Sequence, residues 1–174
     1  MRMPGEFEPH ERTVICWPTR DDLYPGARMA EARAAHAELA QTIARYEPTT
    51  MIAAPADAEH AAELCGASVE VVELPIDDSW FRDTGPIYVR DDTGQRRAVD
   101  FTFNGWGGKY DLPGDDTVGG AIARMADAAV LGEAPARDAD ELALLGLPGR
   151  EAQVVLEDHG LLEAGGEPIR IHNW

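Results

Sequence analysis

The chain has 174 residues, 44% of them hydrophobic, a formal net charge of -17 and a mean hydropathy of -0.31. That length can bury a core as one domain, and no apolar run approaches the ~20 residues of a membrane span. The acidic balance repels a phosphate backbone and anionic lipid, which excludes nucleic acid and membrane as partners, and it concentrates small cations.

The start, Met1 to Glu8, has no apolar signal core. Thr13 to Trp17 reads as a buried strand stopped by Pro18, and Asp21 to Gly26 as a loop. From Ala27 to Tyr46, Met29, Ala32, His36, Leu39, Ala40 and Ile43 fall at helical spacing, which predicts a helix with these residues facing the core; Pro48 ends it. Thr49 to Ala54 is a second strand. Asp57 is a candidate N-cap for a helix to Leu64, with Gly66 as its stop. Val69 to Leu74 is a third strand. Pro86 to Val89 and Arg96 to Phe103 flank Asp91-Asp92-Thr93-Gly94 and read as a hairpin. Val118, Ile122, Met125 and Ala129 mark another helix, capped by Asp115 or Asp116. A short helix around Glu141 to Leu145 and strands at Gln153 to Glu157 and Pro168 to Ile171 complete the pattern.

Two stretches carry chemistry. Ile76-Asp77-Asp78-Ser79-Trp80-Phe81-Arg82-Asp83-Thr84-Gly85-Pro86 sets three carboxylates, a guanidinium and a Trp between two strands. Carboxylates beside an indole suit a flat cation such as a guanidinium; an acidic turn with a local Arg–Asp pair is the plainer alternative. Asn104-Gly105-Trp106-Gly107-Gly108-Lys109-Tyr110 has too many glycines for a strand interior. It reads as a loop whose backbone approaches something closely, or as a plain glycine-rich connection.

Cys16 sits in an apolar strand and Cys65 at a helix end, so both read as inert thiols and not as a disulfide framework. A reducing cytoplasm follows as the expected location. No His pairs with Cys or carboxylate at ligand spacing, so neither metal nor cofactor is expected.

Read together, Pro4-Gly5-Glu6-Phe7-Glu8-Pro9-His10-Glu11-Arg12-Thr13 with Cys16-Trp17-Pro18, Asp78 to Pro86, and Asp100 to Lys109 resemble agmatine deiminases and related bacterial peptidylarginine-deiminase-type proteins, in order and in spacing. The match covers residues 3 to about 120. The resemblance implies an α/β fold, a pentein, in which strand–strand–helix–strand units form a five-fold propeller around a central channel. It also implies a hydrolase, active in putrescine (polyamine) biosynthesis, that converts agmatine and water to N-carbamoylputrescine and ammonia. A Cys thiolate forms an amidino intermediate, a His moves protons, and no metal takes part.

Carried over, Asp83 matches the carboxylate that binds the guanidinium, and Asp78 and Trp80 match channel-lining residues. Arg82 is expected to position Asp83 through an ion pair. Trp106 and Lys109 fall on a loop that shapes the channel floor. Trp17 either lines the substrate end or is a core Trp. Glu157, in Val155-Leu156-Glu157-Asp158-His159-Gly160, is the match to a substrate Glu, though Asp158-His159 replace two glycines. Asp158 and His159 form either a functional pair or a polar turn.

The family's nucleophilic Cys and His-x-Asp motif have no match. The expectation is therefore a single domain, 1–174, made of the front modules of a partial pentein, with a poorly matched tail from 133. Its uncovered edges need a second copy, as a homo-oligomer, or the rest of the propeller. Alone it is expected to be inactive. A non-catalytic guanidinium-binding module, or a deiminase of peptidyl-arginine, are the alternatives.

Overall fold

The computed structural model describes residues 1–5 and 7–131. The helix around 141–145, the strands at 153–157 and 168–171, Asp158, His159 and Glu157 lie outside the described residues.

The first sheet is parallel, in the order β1 (Thr13–Cys16), β2 (Thr49–Ala53), β3 (Glu70–Glu73). Helices α1 (Arg28–Ile43) and α2 (Ala58–Cys65) make the crossovers. All five residues of β2 are buried, as befits a central parallel strand covered on both faces. Strand alternation sorts them. Met51 and Ala53 join Trp17, Ala37, Ala40, Ala61 and Cys65 under α1 and α2. Ile52 turns the other way, to Cys16, Ile76, Val118 and Ile122.

The second sheet pairs β4 (Ile87–Arg90) with β5 (Arg96–Val99) as a hairpin and adds β6 (Ala129–Val130) parallel to β5. The turn forms where the sequence places it. The Asp91 carboxylate accepts the backbone N–H groups of Thr93 and Gln95, each at 3.0 Å, and Gly94 takes φ 82°. Between β5 and β6 lie a single turn, α4 (Gly105–Gly108), and helix α5 (Asp115–Met125). Its Val118 and Ile122 face the first sheet and Ala123 faces the second, so α5 joins the two halves. The second sheet follows the expected strand–strand–helix–strand order; the first alternates strand and helix.

Several local readings change. Helix α5 ends at Met125, which is exposed, and Ala129, expected on the helix, lies in β6. The buried residues of α1 are Met29, Ala37 and Ala40, while Leu39 stays half exposed. Small alanines let the helix lie close to the sheet, and the bulky Leu is turned outward. Asp57 precedes α2 without capping it, because its carboxylate binds Arg33 at 2.7 Å. Asp115 and Asp116 do not cap α5. Asp115 accepts from the backbone of Asp77 and Asp78, and Asp116 from that of Phe103.

Candidate functional site

The segment after β3 is pinned before it reaches the site. Ile76 is buried against Val118 and Ile122. Asp77 N–H and Asp78 N–H donate to Asp115 Oδ1 at 2.8 and 3.2 Å. In return Gly114 N–H donates to Asp77 Oδ2 at 2.6 Å, and Thr19 Oγ1 donates to the Asp77 carbonyl. Asp115 is 1% exposed, and burial pushes its carboxyl above the usual range. A one-turn helix, α3 (Phe81–Thr84), follows, with Phe81 packed on the core and Thr84 buried. This leaves Trp80 and Asp83 exposed on the outer side of the turn.

The second wall is α4. Four consecutive residues take left-handed backbone: Gly105 (φ 64°), Trp106 (56°), Gly107 (80°) and Gly108 (72°). Trp106 is the one residue there with a side chain, at a cost of roughly 1–2 kcal/mol. The turn is held by Gly107 N–H to Asn104 Oδ1 at 2.8 Å and by edge-to-face packing of Trp106 on Phe103 (5.0 Å) and Tyr110 (5.8 Å). A Cβ on Gly105 would collide with the Tyr110 carbonyl oxygen. The close approach expected of this loop is therefore to its own chain.

The two walls meet. Trp106 Nε1 donates to Asp83 Oδ2 at 3.1 Å. Asp78, Trp80, Asp83 and Trp106, with Arg20, Leu23 and Tyr110, line one cavity of about 280 Å³. A larger hollow of about 400 Å³ is lined by residues of the 103–116 stretch, Phe103, Asp111 and Asp116 among them. The smaller one brings Asp78 and Asp83 together with two indoles and the Arg20 guanidinium.

The candidates fare differently. Asp83 is exposed on the cavity wall. Asp78 is buried and paired with Arg20 at 2.8 Å. Arg82 is exposed on α3. Lys109 sits 5.2 Å from the Tyr110 ring centroid and does not line the cavity. Trp17 is fully buried under α1 and α2, so it is a core residue. Cys16 and Cys65 are free and buried, and burial raises both thiols. Neither cysteine, nor His10, His36 or His60, lines the cavity. Among the described residues no group of three or more His, Cys, Asp or Glu could hold a metal, and no helix is long and apolar enough to cross a membrane.

Sequence reasoning missed Arg20, Leu23 and Tyr110. A signal for Arg20 existed: it follows the carboxyl end of β1 as Asp78 follows that of β3, and ligands of parallel sheets gather at those ends.

Comparison with known proteins places the sequence and the fold. The agmatine deiminase of Pseudomonas aeruginosa (strain LESB58) is 48% identical over 108 residues, which are 62% of this chain and 29% of that protein. That of Stutzerimonas stutzeri is 47% identical over 108 residues, with the same shares. The structure of the agmatine deiminase of Enterococcus faecalis superposes with a TM-score of 0.68 and 31% identity, over 74% of this chain and 36% of that one. The chain thus spans about a third of the length of these relatives, and its fold is part of the α/β pentein expected of them. The family model for Porphyromonas-type peptidyl-arginine deiminases matches residues 2–163. Homologous sequence, common fold and the matched span together make this chain a member of the Porphyromonas-type peptidyl-arginine deiminase family.

Proposed function

We propose that the cavity receives the guanidinium of a small cationic substrate, agmatine, and that the chain carries the recognition half of a guanidino-group hydrolase. Asp83 faces the guanidinium, and Trp80 and Trp106 flank it. One observation carries the reading: Asp83 lines the cavity together with two indoles, Trp80 and Trp106, with its described hydrogen bond coming from the neutral Trp106 N–H. A carboxylate so oriented keeps its charge for a flat cation, and indole faces add cation–π attraction. The names of the relatives support agmatine as the substrate.

The reaction we assign is agmatine and water to N-carbamoylputrescine and ammonia. Its thiolate and proton-moving imidazole are not on the described cavity walls. Glu157 is proposed as a further substrate contact. The two buried free thiols fit a cytoplasmic protein. The buried cysteines also favour a second reading, a guanidinium-binding module without turnover.

Calorimetric titration of the 174-residue chain with agmatine and, separately, with putrescine tests the recognition. Agmatine binding with no comparable putrescine binding is expected. Equal affinity for both would show that the amine and not the guanidinium is read.

A further inference from the structure

Asp78 and Asp83 line the same cavity but differ in what holds them. Asp78 is 2% exposed; its Oδ1 accepts the Ser79 N–H at 2.6 Å and its Oδ2 accepts Arg20 Nη1 at 2.8 Å. The Arg20 side chain is itself only 11% exposed. Its Nε donates to Asp22 Oδ1 at 3.0 Å, and its Nη2 to Asp22 Oδ2. Its Cζ lies over the Tyr110 ring, 4.5 Å from the centroid. Carboxylates on two edges and an aromatic ring on one face are what a protein offers a bound guanidinium, and the chain fills this place with its own arginine. Asp83 instead accepts from a neutral indole, which orients the carboxylate without cancelling its charge.

We infer that Arg20 sets the charge specificity of the cavity: it pairs with Asp78 from within, its other edge held by the exposed Asp22 outside the cavity lining, and leaves Asp83 as the carboxylate presented to an incoming cation. The inference rests on the guanidinium reading above. Two uncompensated carboxylates in one cavity would favour a dication or a shared proton; one carboxylate matches one guanidinium. Arg20 also ties together three segments that lie far apart in the chain. These are the loop after β1, the loop after β3 through Asp78, and the end of the α4 turn through Tyr110.

The test is calorimetry with methylguanidine, a monocation, on the 174-residue chain and its variants, with folding checked by circular dichroism. Arg20→Gln alone strands a buried carboxylate, so the main variant is the paired replacement Arg20→Gln with Asp78→Asn, which removes both charges. The paired variant and Arg20→Lys should each keep methylguanidine affinity within ~3-fold, because the cavity's net charge is unchanged. Asp83→Asn should lose ~10-fold or more. Where Arg20→Gln folds, its preference for dicationic agmatine over methylguanidine should rise ~5-fold, the added charge acting at short range. A loss of ~10-fold or more in a folded paired variant or in Arg20→Lys would overturn the inference, by making Asp78 or the arginine fork a direct contact. Unchanged selectivity in folded Arg20→Gln would do the same. No binding by the unaltered chain, or undiminished binding by Asp83→Asn, would reject the guanidinium reading itself.

Discussion

The indole N–H of Trp106 donates to Asp83 Oδ2 at 3.1 Å, joining two loops that lie 23 residues apart in the chain. Replacing Trp106 with Phe keeps an aromatic face and removes this bond. Agmatine binding should weaken by about 1 kcal/mol, the size of one hydrogen bond. Calorimetry on Trp106→Phe that gave the affinity of the unaltered chain would remove the N–H from the account.

The left-handed turn makes a prediction about stability. At Gly105 a Cβ meets both a φ of 64° and the Tyr110 carbonyl oxygen, whereas at Gly107, with φ 80°, nothing lies within 4 Å. Gly107→Ala should cost about 1–2 kcal/mol, the ordinary left-handed penalty, and Gly105→Ala clearly more. Urea denaturation ranks the two; equal losses would contradict the close approach.

Buried Asp115 predicts a pH effect. Burial is the main cause raising its carboxyl, opposed by the N–H groups of Asp77 and Asp78. A raised carboxyl favours the neutral form in the folded state. Its contribution is therefore complete below the ordinary aspartate value near 4 and is lost as pH rises through the raised one. Asp115→Asn keeps an acceptor and cannot ionise. The stability of the variant relative to the unaltered chain should thus climb as the pH rises from about 4 through the raised value. Denaturation curves across that range that stayed parallel would show that Asp115 is not the source.

Much of the architecture was legible, for identifiable reasons. Strand β2 was readable to within one residue because β-branched and apolar residues run unbroken between Pro48 and Pro55, and the hairpin because Asp91 and Gly94 each fit one role in its turn. Contacts from distant parts of the chain were not. Asp115 reads as a cap locally, yet it is recruited by the backbone of residues 77 and 78. Leu39 fits an apolar stripe, yet alanines take the core face. The glycines around Trp106 announced a loop without revealing its left-handed course. The pairing of Arg20 with Asp78 spans 58 residues, and no local pattern encodes it.

Catalysis gives a negative prediction. Deimination needs a thiolate at the guanidinium carbon and a group to move protons. Cys16 and Cys65 are buried away from the cavity, and burial holds both thiols neutral. The purified 174-residue chain should release no ammonia from agmatine above background. Release that disappeared in Cys16→Ala or Cys65→Ala would show that one of these thiols is a nucleophile after all.

The account turns on Asp83, and the most direct measurement is calorimetric titration of agmatine into the chain and into Asp83→Asn. The variant keeps the size and an acceptor but not the charge. Its binding should be weaker by roughly 1.5–3 kcal/mol, the scale of a hydrogen bond to a charged group. The same affinity in both forms would contradict the role of Asp83.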